Sequence, residues 1–229
     1  MKILCISDTV DPLVYSRYLK EHYKDVDLVL SAGDLPLKYY GFIISSTNKS
    51  LGFVFGNHNL DQLNRFSGEG RLLPGYSDAD VPGEIPEYNG EYLDGKVFYD
   101  KKHDLIIAGL GGCMRYNLGR HQFTEREMKW RIRKMMPRLY WNKLVHGRYL
   151  DILVTHAPPA GIHDEDDPCH RGFQCFLEFM HRFKPKYLLH GHVHLTDMNN
   201  PREDEFEGTK VINVYQKYLL DDERLGRKG

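Results

Sequence analysis

The segment at residues 187–194, YLLHGHVH, places three histidines within five residues directly after a short apolar run. The apolar run predicts a β-strand, and alternate side chains of an extended chain point to the same side. His190, His192 and His194 are therefore expected to converge at the end of this strand, where imidazole nitrogens bind divalent metals. Taken alone, the cluster also fits a solvated loop, and the rest of the chain decides between the two.

Other predicted strands also end in residues that bind metals or transfer protons. The apolar runs that begin near residues 3, 26, 51 and 151 lead into Asp8, Asp34, His58 and His156. Ligand sites of α/β sheets form at such strand ends. The sequence therefore predicts one site built from residues that lie far apart in the chain.

Short runs of β-branched and aromatic residues bounded by Gly, Pro, Asn or Asp predict strands that are buried on both faces. These strands are predicted at residues 2–6, 26–31, 52–55, 105–108, 152–155, 187–189 and 210–214. Amphipathic spacing predicts helices at residues 13–23 and 173–183. The alternation of strands and helices is typical of an α/β domain.

The longest predicted helix spans residues 124–145 and has a strongly basic face. Thr124 followed by Glu127 forms a capping-box pattern, and Pro137 is expected to kink or split the helix. The basic face fits a solvated helix better than a surface that docks an anion.

The overall composition limits the classes of partner. The chain has 229 residues with 41% apolar side chains, and we predict one domain at residues 1–220 followed by a polar tail at 221–229. No apolar stretch approaches the roughly 20 residues that span a bilayer, so we expect a cytoplasmic protein with no membrane partner. The net charge of −1 disfavours nucleic acid. The four cysteines are widely spaced, form no zinc-knuckle pattern and are expected as reduced thiols.

The polar residues at the strand ends follow a recognisable order. Asp8, Gly33-Asp34, Gly56-Asn57-His58, His156 and Gly191-His192-Val193-His194 together resemble the calcineurin-like metallophosphoesterase superfamily over most of the chain. The motifs at residues 112–116 and 155–159 also resemble a group of small bacterial members of unassigned substrate. The resemblance implies a four-layer α/β/β/α sandwich in which two facing mixed sheets are flanked by helices.

The resemblance further implies a centre of two divalent metals. Carried over by position, the ligands are Asp8 and His194 at the first metal, Asn57, His156 and His192 at the second, and Asp34 between them. His58 would be the catalytic acid that acts on the phosphate, while His190 would support the site without binding metal. This mixed shell does not distinguish Mn, Fe, Zn or Mg. A metal-activated hydroxide would then hydrolyse a phosphate monoester or diester in a small-molecule substrate.

Two positions depart from the family pattern. Val10 stands where the family has a histidine ligand, so the first metal site is expected to be weak unless water or Asp11 replaces the missing donor. Asn59 stands where the family commonly has an acidic residue, and a neutral amide supports a protonated His58 less well. Both changes predict reduced activity.

Several interpretations stay open at this level. Arg115 and Tyr116 follow a glycine-rich turn and are predicted to contact the substrate phosphate, although a surface arginine and a packing tyrosine also fit. The acidic and histidine residues at 163–170 either shape the substrate pocket or are solvated. The alternatives to an enzyme of small phosphorylated molecules are a non-catalytic protein-binding module and, with support only from the basic helix face, a nuclease.

Overall fold

Two large sheets form the centre of the molecule in the computed structural model, which describes residues 1–58, 60, 63, 66, 90–196 and 201–226. The strands of the first sheet are β1 (Lys2–Ser7), β2 (Leu28–Ser31), β3 (Leu51–Phe53), β4 (Gly90–Tyr92) and β13 (Gln216–Asp221). Their order is β13-β1-β2-β3-β4, with β13 antiparallel to β1 and the other pairs parallel.

The second sheet is also mixed. Its strands are β5 (Val97–Asp100), β6 (Leu105–Leu110), β9 (Ile152–Thr155), β10 (Tyr187–His190), β11 (Glu203–Phe206) and β12 (Thr209–Asn213). The order is β11-β12-β10-β9-β6-β5, and only the two outermost pairs are antiparallel. The short strands β7 (Cys113–Met114) and β8 (Gln122–Phe123) pair separately.

The four helices among the described residues are α1 (Leu19–His22), α2 (Leu37–Thr47), α3 (Glu125–His146) and α4 (Gln174–Phe183). One apolar cluster packs α1 and α2 on the first sheet, and another packs α3 and α4 on the second. No helix in the part of the chain that the structure describes has the length and apolar character needed to cross a membrane.

Alternation along β1 shows how the core is divided into layers. Ile3 and Cys5 are buried between the two sheets together with Ile107 of β6. Leu4 and Ile6, on the opposite face, are buried under the helices of the first sheet. Because successive side chains of a strand point to opposite faces, a run that is apolar throughout fills both layers. The four-layer α/β/β/α sandwich of two facing mixed sheets is confirmed.

The helices differ from the prediction in three respects. The predicted helix at 13–23 is wrong over most of its length, because only Leu19–His22 is helical and the carboxylate of Asp11 accepts the N–H groups of Leu13 and Val14 in a turn. Helix α2 was not predicted. Helix α3 has the predicted capping box and continues through Pro137 as one helix, so the predicted split is wrong.

The C-terminal segment packs against the fold. Asp221 is the last residue of β13 and pairs with Lys2. The backbone N–H of Asp222 donates to the carbonyl of Met1 at 3.1 Å. Leu225 is buried between the two sheets. Residues 221–226, which the sequence assigned to a polar tail, are therefore ordered on the sheet.

The buried carboxylate of Asp94 joins the two sheets to α3. Asp94 follows β4 and forms an isolated bridge with Gly109 of β6. Its carboxylate accepts hydrogen bonds from the backbone N–H of Gly111 at 2.6 Å and from the guanidinium of Arg131, and it lies 3.5 Å from Nε2 of His121. Burial would raise the pKa of Asp94, but the Arg131 charge and these hydrogen bonds hold it well below its usual range.

We predict that Asp94→Asn destabilises the fold by roughly 3 kcal/mol at neutral pH, because it leaves the half-buried guanidinium of Arg131 without its counter-charge. The lowered pKa of Asp94 stabilises the folded state above the unfolded pKa of about 3.9, and this stabilisation is lost as the pH falls towards the folded value. The difference in free energy of unfolding between the wild type and Asp94→Asn should therefore shrink below about pH 4. Urea denaturation at several pH values measures it.

A matched control is Glu91→Gln, because the carboxylate of Glu91 forms an exposed ion pair with Lys96 at 3.6 Å. Its effect should stay within about 0.5 kcal/mol at every pH. A difference between wild type and Asp94→Asn that does not change with pH would contradict the assigned role of the carboxylate.

Candidate metal centre

The predicted site residues meet where strands of the two sheets end. Asp8 follows β1, Asp34 and Asn57 follow β2 and β3, and His156 and His192 follow β9 and β10. Direct contacts join the two sheets here, since the backbone N–H of His192 donates to both carboxylate oxygens of Asp8 at 3.0 and 3.1 Å. The site therefore lies at the junction of the sheets.

The centre of the site contains two carboxylates and an imidazole. One ligand atom each of Asp8, Asp34 and His156 lies within 4.8 Å of the others, a grouping that fits one metal ion. Nε2 of His156 is 3.2 Å from Oδ2 of Asp34 and 3.1 Å from Oδ1 of Asn57. His156 is completely buried, and the carboxylate of Asp8 is 1% exposed.

Two imidazoles are oriented by backbone carbonyls. Nδ1 of His156 lies 2.8 Å from the carbonyl oxygen of Ala32, and Nε2 of His192 lies 2.6 Å from the carbonyl oxygen of Cys169. A metal-binding histidine usually donates its other ring N–H to such a group, which fixes its tautomer. The arrangement presents Nε2 of His156 and Nδ1 of His192 as the nitrogens that would bind a metal.

The electrostatics of the site favour a cation. Burial opposes the imidazolium form of His156, but the charges of Asp34 and Asp8 raise its pKa to about 9. Burial likewise opposes ionisation of Asp34, yet His156 lowers its pKa to about 2. Burial raises the pKa of Asp8. Burial and the charge of His156 lower the pKa of His192 to about 3, so it is the neutral imidazole that metals require.

The backbone is strained at three of these residues. Asp8, Asp34 and His192 have φ values of 63°, 57° and 69°, in the left-handed region that residues with a side chain rarely adopt. Each such residue costs about 1–3 kcal/mol, and such residues cluster at functional sites. The strain at three strand ends that meet supports a functional role for this junction.

Two glycines allow the backbone to approach the carboxylates. A Cβ atom at Gly56 would overlap the carboxylate of Asp34 and the ring of His156, and one at Gly191 would overlap the carboxylate of Asp8. The glycine of each sequence motif is therefore required by close packing, which fits a compact centre whose donors surround a small ion. The residues present thus fit a divalent metal by donor type, orientation and charge.

Two predicted residues lie at the exposed rim. Nε2 of His194 is 3.8 Å from Oδ1 of Asp8, its side chain is 59% exposed, and its ring lies 4.9 Å from the ring of Tyr215. The backbone N–H of His58 donates to Oδ1 of Asp34 at 2.8 Å, and the residue is exposed. Their roles as metal ligand and catalytic acid stay predictions.

The two predicted phosphate contacts are placed differently. Arg115 donates to both carboxylate oxygens of Glu127 at 3.0 and 2.9 Å, so its guanidinium is held against the start of α3. The hydroxyl of Tyr116 lies 3.3 Å from Nδ2 of Asn57 and reaches the predicted ligands. The structure thus brings Tyr116 to the site and directs Arg115 to the helix.

Asp11 is not oriented to replace the missing histidine ligand beside Asp8. Val10 is half-buried against the core of the first sheet. The carboxylate of Asp11 accepts hydrogen bonds from two backbone N–H groups of the following turn and lies 2.8 Å from Nζ of Lys217. Both of its oxygens are therefore already paired. The predicted effect of Asn59 on His58 falls outside the described residues.

Sequence reasoning did not predict the carbonyl groups of Ala32 and Cys169 that orient the imidazoles, because the sequence does not show which carbonyls face a site. The buried His190 contacts neither carboxylate: its Nε2 lies 2.9 Å from Nδ1 of His163, and its Nδ1 lies 3.0 Å from the carbonyl of Gly191. His190, His192 and His194 therefore lie in three different surroundings.

Comparison with known proteins identifies the family of the chain. No curated protein matches the chain. The crystal structure of TT1561 of Thermus thermophilus is similar in fold, with a TM-score of 0.60, 11% sequence identity, and coverage of 94% of this chain and 89% of that chain. The sequence profile of the calcineurin-like phosphoesterase family matches residues 1–195. The chain therefore belongs to the calcineurin-like phosphoesterase family.

Proposed function

We propose that this protein is a metal-dependent phosphoesterase that hydrolyses a phosphate monoester or diester in a small-molecule substrate. The observation that supports it best is the buried group of Asp8, Asp34 and His156, with the amide oxygen of Asn57 3.1 Å from the same imidazole nitrogen. Members of the family that matches the chain are generally hydrolytic.

The residues divide into two sets of ligands. Asn57, His156 and His192 would hold one metal, Asp8 and His194 the other, and Asp34 would contribute to both. Bound divalent metals lower the pKa of water to near neutrality and offset charge on phosphoryl oxygens. The donors accept Mn, Fe, Zn or Mg, and Val10 makes the set around Asp8 the poorer one.

Residues around the centre hold Asp34 in one orientation and would supply a proton to the reaction. Asp34 is fixed by the His58 N–H on one oxygen and by His156 on the other, so it cannot rotate freely. The exposed imidazole of His58 would donate a proton to the leaving alkoxide. Tyr116, beside Asn57, would donate its hydroxyl to a phosphoryl oxygen. Arg115 would reach the phosphate only after release from Glu127, which fits reduced activity.

The expected setting is the cytoplasm, with a small phosphorylated molecule as partner. The described cysteines, Cys5, Cys113, Cys169 and Cys175, are free thiols, which suits a reducing compartment. A net charge of −1 gives no bulk attraction for nucleic acid.

Protein stripped of metal and reloaded with Mn²⁺ should hydrolyse an aryl phosphate monoester or diester. Asp34→Asn should reduce kcat by about 100-fold or more, because it removes the carboxylate that would contribute to both sets of metal ligands. Asp25→Asn, on an exposed carboxylate, is the matched control and should leave the rate unchanged. Initial rates measured with both substrates test this, and equal rates in Asp34→Asn and wild type would assign the activity to a contaminant.

His58→Ala should reduce hydrolysis of an alkyl phosphate by roughly 10²–10⁴-fold, because an alkoxide leaves only with a proton. The same variant should affect an aryl ester less, since a phenolate leaves more readily. His22→Ala, at the exposed last residue of α1, serves as the control. An equal loss on both esters would argue that His58 acts on the phosphoryl group and not on the leaving group.

Val10→His should tighten the weaker Mn²⁺ site by at least about tenfold, because it restores an imidazole donor next to Asp8. Val10→Ala removes the same side chain without adding a donor and should leave the affinity unchanged. Calorimetric titration of the metal-stripped protein measures both variants. Identical affinities in wild type and Val10→His would contradict the placement of the first metal, and less than one tight Mn²⁺ per chain would favour a non-catalytic binding module.

A further inference from the structure

A second group of metal-binding side chains lies on the loop between β9 and α4. Asp167, Cys169 and His170 each present one ligand atom within 4.8 Å of the others. Sγ of Cys169 is 2.6 Å from Oδ1 of Asp167 and 3.6 Å from Nδ1 of His170. The same Nδ1 lies 2.8 Å from Oδ2 of Asp167 and 3.6 Å from Oε2 of Glu165.

These distances suit a tetrahedral ion. Zn²⁺ binds thiolate at about 2.3 Å and imidazole at about 2.0–2.1 Å, so tetrahedral angles place the sulfur and nitrogen about 3.6 Å apart. Cys169 and His170 already have this separation. The carboxylate of Asp167 is closer because it accepts hydrogen bonds from both, and a shift of about 1 Å would make it a ligand at the usual distance. The exposed carboxylate of Glu165 lies 3.6 Å from the same imidazole nitrogen and would have to move towards the other three donors to complete the tetrahedron.

Hydrogen bonds within the loop hold together the segment that carries these donors. An isolated bridge joins Pro159 to Phe173 at its two ends. The carboxylate of Asp164 accepts the N–H of Gly161 at 2.8 Å and that of Gly172 at 3.1 Å. The donors are therefore held on a preformed frame, which reduces the ordering that metal binding requires.

A nucleophilic cysteine explains the cluster less well. The thiol of Cys169 donates to the carboxylate of Asp167, and Nδ1 of His170 contacts the same carboxylate. Anionic neighbours disfavour a free thiolate, whereas reactive thiolates lie next to positive charge. A divalent cation satisfies the thiolate and both carboxylates together.

We propose that Asp167, Cys169 and His170, with Glu165 as fourth donor, bind a Zn²⁺ ion apart from the centre at the sheet junction. The thiolate selects Zn²⁺ against Mg²⁺ and Mn²⁺, which prefer oxygen ligands. The site is coupled to that centre, because the carbonyl of Cys169 accepts from His192 and the His170 ring lies 5.2 Å from the His192 ring. Zinc in the loop holds in place the carbonyl that orients His192.

Co²⁺ is the probe, since it replaces Zn²⁺ and reports thiolate ligation by a charge-transfer absorption in the near ultraviolet. Titration of the metal-stripped full-length protein should give this band, saturating at one Co²⁺ per chain, and Zn²⁺ should remove it by displacement. Cys169→Ser should abolish the band, and His170→Ala should weaken Co²⁺ binding at least tenfold. Circular dichroism of each variant confirms that it is folded.

Asp34→Asn separates this proposal from the proposed function, because it damages the junction centre and leaves the loop donors intact. The band should persist in Asp34→Asn. Cys175→Ala is the matched thiol control: Cys175 is buried at the start of α4, and the band should persist there as well. The proposal is overturned if folded wild type gives no band, if the band survives Cys169→Ser, or if Asp34→Asn removes it.

Discussion

Asp8 and Asp34 place two carboxylates in a junction where both are largely shielded from solvent. Burying like charges together is unfavourable unless positive charge lies between them. The imidazole of His156 meets this requirement from the second sheet, and its own Nδ1 contacts the Ala32 carbonyl on the first. This contact joins the two sheets at the point where the backbone of Asp8 and Asp34 is strained.

Asp94 forms a comparable charged contact between the two sheets, separate from the group of Asp8, Asp34 and His156. It is a buried carboxylate at the boundary of the two sheets, but its partner is the permanent cation of Arg131. A guanidinium stays charged over the whole pH range in which the protein is folded. The carboxylate of Asp94 therefore needs no metal ion to balance its charge. His121 connects the two regions, because its Nδ1 lies 2.7 Å from the carbonyl of Gly56, next to Asn57. Asp94 is thus paired with a permanent cation, whereas Asp8 and Asp34 share an imidazole.

The sequence predicted most of the strands and the order of polar residues at their ends, because a strand buried on both faces must be a continuous apolar run. It did not predict α2, whose Tyr39, Tyr40, Ile43 and Ile44 have high β propensity and are helical only because they pack on the first sheet. The sequence also led to the prediction that Arg115 contacts the substrate phosphate. The contact of Arg115 Nη2 with both Glu127 oxygens depends on where α3 begins in space, and no local sequence pattern shows this.

The absence of side chains at Gly56 and Gly191 has a consequence for how this protein can diverge. At these two positions main-chain atoms themselves form the wall around the carboxylates, so any larger residue would displace the donors. Val10, in contrast, is half-buried and packs against the apolar core under the helices of the first sheet. A substitution at Gly56 or Gly191 therefore displaces the carboxylates directly, whereas a substitution at Val10 acts on the packing of that core.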